Sequence, residues 1–174
     1  MNVWKNMVQI IELKNIQEGH LFITENGLYS EDRYVPELEI IMKKDPNAIL
    51  TLNSAFYYYG LTDTIPDHYY VATPKSNRKI EDVRVKQIYE NSNAFEMGKT
   101  TIEYDGVDIT IYNEERLLIE LIRNKRKFSF DLYKEIISNY RKLIHKMDMT
   151  QIMEYAYELP KTNMVMETIR LEIL

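Results

Sequence analysis

The sequence has 174 residues, the length of one globular domain with or without a small appendage. Apolar residues make up 45% and charged residues 28% with a net charge of −5, which predicts a packed core and excludes a fibrous, disordered or uniformly basic chain. There is no cysteine and the three histidines are scattered, which excludes disulfides and thiolate chemistry, and we expect neither a metal nor a cofactor.

The N-terminal end predicts one helix followed by a hairpin. Residues 3–16 carry apolar side chains at the spacing of an amphipathic helix, and Gly19 is placed to end it. Two short β-prone runs then flank Asn26-Gly27, a step that favours a tight hairpin turn. A helix followed at once by a small hairpin is the second half of a winged helix. We therefore expect a truncated winged-helix-like segment over residues 1–34.

Two short helices are predicted next. Residues 35–44 have helical character, and Pro36 is tolerated in the first turn of a helix. Asn53 is a candidate N-cap for a second helix, which Gly60 would end in the left-handed conformation.

Three segments of the middle of the chain predict strands. Residues 69–73 and 83–89 are β-prone runs. Residues 99–112 fold back at Asp105-Gly106, which is the strongest hairpin signal in the chain because it is flanked by alternating β-branched and polar residues.

The C-terminal part of the chain predicts helices. Asn113 is placed to cap a helix over residues 114–124, and Ser129 is placed to cap the next one. Two further helices are predicted over residues 148–159 and 163–173. The expected fold class is α+β, with a partial winged helix, then a small sheet of roughly four strands, then a C-terminal helical group.

Charge is distributed unevenly along the chain. Residues 123–146 contain eight basic residues against two acidic ones, a balance of +6, whereas residues 1–39 have a balance of −4. A basic surface of this kind can bind phosphates or an acidic partner, although a solvated helix exterior produces the same spacing. The candidate basic face consists of Arg123, Lys125, Arg126, Lys127, Arg141, Lys142 and Lys146.

Acidic residues suggest a different class of protein, a metal-dependent nuclease; they are Glu103, Asp105 and Asp108 near the predicted hairpin and Glu114 and Glu115 at the next helix. Such a site needs carboxylates that converge with a lysine, and no acid-x-Lys element accompanies them here. Asp105 is explained by the turn, and Glu114 and Glu115 are explained by the start of a helix, where anions are favoured. We therefore predict no catalytic and no metal-binding residues, and a protein that is not an enzyme.

Two blocks of the sequence carry a specific motif. Residues 53–66, NSAFYYYGLTDTIP, are followed by a strand that ends in Pro74, in the pattern S-A-L-x-x-x-G-L-T-D-x-x-P then P. Residues 107–123, VDITIYNEERLLIELIR, follow the pattern v-x-v-y-d-x-E-R-T-x-x-D-x-I-R, with Leu117 and Glu120 in place of Thr and Asp. These patterns resemble those of AbiEi-type antitoxins. The matching residues are Ser54, Ala55, Gly60, Leu61, Pro66, Glu115, Arg116 and Arg123.

The resemblance implies a place in a type IV toxin–antitoxin or abortive phage infection system. In that family a winged helix binds promoter DNA, and a C-terminal domain, here residues 35–174, counteracts a nucleotidyltransferase-like toxin. The segment that corresponds to the winged helix is acidic here, and this weakens the expectation that it binds phosphates on its own.

We therefore expect a cytoplasmic, non-enzymatic antitoxin-like protein with no membrane contact, whose partner is a nucleotidyltransferase-like toxin. The alternative is a DNA-binding transcriptional repressor that regulates its own operon through a winged helix, rebuilt by dimerisation. The motif residues are expected to be part of the scaffold, with Arg116 pairing with Glu120 four positions on.

Overall fold

The computed structural model describes residues 15–19, 21–25, 28–32 and 35–174. The chain divides into two compact units, Met1–Pro46 and Asn47–Leu174. Most of the predicted N-terminal helix and the whole Asn26-Gly27 turn lie outside the described residues. The boundary expected after residue 34 separates a winged-helix-like segment from an antitoxin-like domain. This functional division is different from the division into compact units, and it stays a prediction.

The described part of the first unit contains a hairpin and a helix. Strands β1 (Phe22–Glu25) and β2 (Leu28–Ser30) are antiparallel, as the sequence predicts. Helix α1 (Glu37–Lys44) begins later than predicted, because Pro36 has an extended backbone and is its N-cap. Gly19 has a φ of 75° and its N–H donates to the Ile16 carbonyl, which confirms it as the end of a helical turn.

The second unit is built on a five-stranded mixed sheet. Its strands are β3 (Ile49–Leu50), β4 (Tyr69–Pro74), β5 (Val85–Glu90), β6 (Lys99–Tyr104) and β7 (Val107–Tyr112). The strand order is β5-β4-β3-β7-β6, in which β4 is parallel to β5, β3 is parallel to β7, and the other neighbours are antiparallel.

The central strand β3 is absent from the sequence prediction. It has two residues, both fully buried, and Leu50 pairs with Val71 of β4 on one side and with Ile111 of β7 on the other. A run of two residues is too short to show the alternation that identifies a strand. The sheet therefore has one strand more than expected.

Helix α2 (Leu52–Tyr58) starts differently from the prediction. Asn53 is not its N-cap; the cap position is Thr51, because the chain turns directly out of β3 through Leu52, which has a φ of 44°. The end of the helix is as predicted. Gly60 has a φ of 66°, its N–H donates to the Tyr57 carbonyl, and the next N–H donates to the Phe56 carbonyl, which is a Schellman motif.

The β6–β7 hairpin is confirmed at the predicted turn, where Asp105 and Gly106 both have positive φ angles, 51° and 79°. One short helix, α3 (Ser92–Phe95), lies between β5 and β6 and was not predicted.

Four helices form the C-terminal part, and the predicted caps Asn113 and Ser129 are confirmed for the first two. The helices are α4 (Glu114–Arg123), α5 (Phe130–Leu143), α6 (Met149–Glu158) and α7 (Thr162–Thr168). Asn113, Ser129 and Asp148 each accept a hydrogen bond from a backbone N–H in the first turn of the helix that follows. The last predicted helix changes at Ile169–Ile173 into a π-helical segment.

Helix α4 is the central helix of this unit. Seven consecutive residues, from Arg116 to Ile122, are buried, and the helix contacts α2, α6 and α7. The α+β class is confirmed, with a small sheet and a C-terminal helical group. Among the described residues, no helix has both the length and the apolar character needed to cross a membrane.

Candidate functional site

The motif arginine Arg116 is a fully buried cation. Its side chain has no exposed surface, and its Nη2 lies 2.8 Å from Oε1 of Glu120, while its Nε donates to the same oxygen at 3.0 Å. The predicted pairing four positions along α4 is therefore confirmed. A buried guanidinium needs such a partner, because desolvation of an unpaired charge is costly.

Arg116 also connects α4 to the loop around α3. Its Nη1 donates to the carbonyl oxygens of Ala94 at 2.7 Å and Met97 at 3.3 Å. The guanidinium lies 4.7 Å from the ring centroid of Tyr112, close enough for a cation–π interaction. One side chain thus holds together the strand before α4, the helix itself and the short helix between β5 and β6.

Glu120 receives two further hydrogen bonds. Arg123 Nη1 donates to Oε1 at 2.7 Å, and Asn124 Nδ2 donates to Oε2 at 2.9 Å. Arg123 is therefore partly buried, whereas the sequence places it on the candidate basic face. It sits at the edge of an internal network that consists of Arg116, Glu120, Arg123 and Asn124.

Glu90, at the end of β5, lies beside this network. Its Oε2 is 4.0 Å from Arg116 Nη2, and its side chain is 16% exposed. Burial raises the pKa of Glu90, the charge of Glu120 raises it further, and Arg116, Arg123 and Lys127 oppose this without cancelling it. The ionised form of Glu90 is consequently disfavoured in the folded protein.

Glu90→Gln should therefore change how stability depends on pH. Because the folded-state pKa lies above the unfolded one, the folded protein binds more protons between the two values, so its stability falls as pH rises through that window. The difference in unfolding free energy, variant minus parent, should therefore increase as the pH is raised from 4 to 7. Urea titrations at each pH measure this difference. A constant difference across this range would contradict the assignment, and Glu103→Gln, on the exposed edge strand, is the control.

The remaining motif residues also have structural contacts. The Ser54 hydroxyl donates to the His68 carbonyl at 3.1 Å and accepts from the Tyr70 N–H at 2.8 Å, which ties α2 to β4. Ala55 and Leu61 are fully buried. Glu115 accepts from the Asp148 N–H at 3.2 Å and so connects α4 to the cap of α6. Pro66 is partly exposed in the loop before β4.

The candidate basic face lies on a 3-10 turn and along α5. The turn Lys125–Lys127 contributes three exposed cations, and the end of α5 and the 3-10 turn after it contribute the others. The exposed members are Lys125, Arg126, Lys127, Arg141, Lys142 and Lys146.

An open groove of about 630 Å³ lies at one side of this face. It runs along α5 beside the C-terminal π-helical segment, and its charged lining residues are Lys125, Lys134, Arg141 and Glu172. Phe130, which is 67% exposed, adds an aromatic ring to the lining. Sequence reasoning did not find Glu172 or Phe130. Phe130 continues the apolar spacing of α5, so periodicity alone places it in the core.

Glu172 is held in the groove by the cations around it. Its carboxylate accepts from Lys125 Nζ at 2.8 Å and from the Tyr133 hydroxyl at 3.0 Å, and its carbonyl accepts from Arg141 Nε. Partial burial acts to raise the pKa of Glu172, but these hydrogen bonds and the charges of Lys125 and Arg141 outweigh it and lower the pKa. The groove thus stabilises a carboxylate.

The acidic residues considered for a nuclease do not form such a centre. Glu103, Asp105 and Asp108 are exposed on the β6–β7 hairpin. Within the described ranges, no group of three or more Asp, Glu, His or Cys side chains is arranged to hold a metal ion.

No protein family and no curated protein matches the chain. The resemblance to AbiEi-type antitoxins therefore depends on the motif residues described above.

Proposed function

We propose that this chain is a non-enzymatic, cytoplasmic antitoxin-like protein of the AbiEi type, which counteracts a nucleotidyltransferase-like toxin. The observation that carries the proposal is the candidate basic face. Six of its seven cations are exposed within one short stretch of chain, on and beside a helix whose other side is packed into the core.

The contacts of the motif residues support the same proposal. Ser54 joins a helix to a strand, Gly60 ends a helix, and Arg116 organises a buried network. A motif whose members hold the scaffold together identifies a fold and not an active site. The surface that acts on a partner is then free to lie elsewhere, and the basic face is the strongest candidate for it.

Charge reversal tests this proposal. The variant carries Glu at Arg126, Lys127, Lys142 and Lys146, which are exposed and lie outside the groove. Co-expressed with a nucleotidyltransferase-like toxin encoded beside it, the variant should fail to rescue growth. Like charges placed against each other at an interface cost several kcal/mol, which lowers affinity about a thousandfold or more.

The matched control reverses four exposed cations between and on strands β4 and β5, Lys75, Arg78, Lys79 and Lys86. It changes the net charge by the same amount and should still rescue growth. Full rescue by a folded charge-reversal variant would contradict the proposal. Repression of the gene's own promoter without any rescue would favour the DNA-binding repressor instead.

A further inference from the structure

The groove beside the basic face differs from the rest of that face. Lys125, Lys134 and Arg141 line the groove with Phe130 and Tyr133, whereas Arg126, Lys127, Lys142 and Lys146 are not part of its lining. Its volume of about 630 Å³ is within the range of small-ligand sites. This combination of cations and an exposed aromatic ring in an open groove suits a small anion that also carries a planar ring.

The charges in the groove are not balanced. Three cations face one carboxylate, that of Glu172, so the lining has an excess of positive charge. Lys125 is engaged by Glu172 at 2.8 Å. Lys134 has no carboxylate against it in the groove lining; its Nζ lies 4.4 Å from the centroid of the Phe130 ring. The positive excess is therefore centred on Lys134 and Arg141.

The aromatic part of the groove is the exposed ring of Phe130. Phe130 is the first residue of α5 and leaves two-thirds of its surface exposed, although the next residues of the same apolar stripe, Tyr133 and Ile137, are buried. A large exposed aromatic side chain next to cations is a typical platform for stacking a nucleobase. Lys134 Nζ lies over one face of this ring, and Phe130 as a whole is still 67% exposed.

We propose that this groove binds a nucleoside triphosphate, with the phosphates at Lys134 and Arg141 and the base against Phe130. The inference rests on the proposed function and deepens it, since a nucleotidyltransferase consumes such a substrate. Glu172 is an internal anion that already occupies part of the site. It opposes the ligand by charge repulsion and limits its affinity.

Direct titration of the full-length protein tests the inference. The probes are ATP, GTP, CTP, UTP and inorganic tripolyphosphate. Their binding is measured by calorimetry at low salt. At least one nucleotide should bind with a Kd of about 10–100 μM, and more tightly than tripolyphosphate, because stacking adds to the phosphate contacts. Binding should weaken as salt is added.

Four variants assign the binding to the groove. Lys134→Gln and Arg141→Gln should each weaken binding by about five- to tenfold, since each removes one charged contact. Phe130→Ala should weaken nucleotide binding by about fivefold or more and leave tripolyphosphate unaffected. Glu172→Gln, which keeps an acceptor for Tyr133, should tighten binding by about fivefold.

Lys142→Gln is the matched control, because Lys142 is exposed on the same helix next to Arg141 but does not line the groove. Any of three results would overturn the inference. The first is equal affinity for tripolyphosphate and nucleotides, and the second is an equal effect of Lys142→Gln and Arg141→Gln on affinity. The third is the absence of binding at millimolar nucleotide. Its failure is distinguishable from failure of the proposed function, which is measured by growth rescue. Rescue with no nucleotide binding refutes the groove alone, and binding without rescue refutes the antitoxin role.

Discussion

Arg116→Met is expected to lower the free energy of unfolding by about 3–5 kcal/mol, the usual cost of removing one partner from a buried ion pair. The substitution leaves the Ala94 and Met97 carbonyls without the Nη1 donor, and it leaves Glu120 with Arg123 and Asn124 alone. Because a domain of this size is stable by about 5–15 kcal/mol, the loss is a large fraction of the total.

The measurement is the midpoint of unfolding in urea, monitored by far-UV circular dichroism. Arg126→Met is the matched control, because Arg126 is exposed on the 3-10 turn after α4 and its replacement should change stability by less than about 0.5 kcal/mol. A loss below about 1 kcal/mol for Arg116→Met would mean that the buried network contributes little to the fold.

Gly98→Ala is expected to lower the free energy of unfolding by about 2–5 kcal/mol, through two separate effects. Gly98 has a φ of 76°, a conformation that alanine adopts with strain. A Cβ at this position would also lie 2.6 Å from Arg116 Cβ and 2.8 Å from Asn113 Oδ1. Neither atom can move freely, because Arg116 is buried and the Asn113 side chain caps α4.

Gly60→Ala separates the two effects. Gly60 has a similar φ of 66°, but a Cβ there would meet no atom within 4 Å. Gly60→Ala should therefore cost only the backbone strain, about 1–2 kcal/mol. The difference between the two variants in chemical denaturation gives the cost of the steric clash. Equal losses would show that the loop before β6 can move away from α4.

The local features of the fold were predictable, because short stretches of sequence specify them. Asn113 and Ser129 cap helices, Gly60 ends one, and Asp105-Gly106 forms a hairpin turn, all at the predicted positions. In each case a side chain or a positive φ acts within four residues of its own position.

The features that were missed depend on contacts between distant segments. Strand β3 exists because Leu50 finds partners in β4 and β7, and Thr51 rather than Asn53 precedes α2 because the chain leaves this strand sharply. The groove depends on Glu172 reaching Lys125 across the C-terminal helices, and no local pattern indicates such a contact.

The internal position of Arg123 has the same explanation. From sequence it belongs with the basic residues that follow it, and Arg116 alone is expected to pair with Glu120. The burial of Glu120 brings Arg123 inward instead. A charged residue is placed by its partners, and here those partners are buried.

The two-residue strand β3 also has a consequence for the kinetics of folding. The pairs β4–β5 and β6–β7 form from neighbouring stretches of chain, but in this sheet they are joined through β3, whose Leu50 pairs with Ile111 far along the sequence. Forming that pair closes a long loop of chain. The chain therefore loses entropy before packing of the interior can compensate for the loss. Completion of the sheet, and not formation of the helices, should therefore limit the rate at which this unit folds.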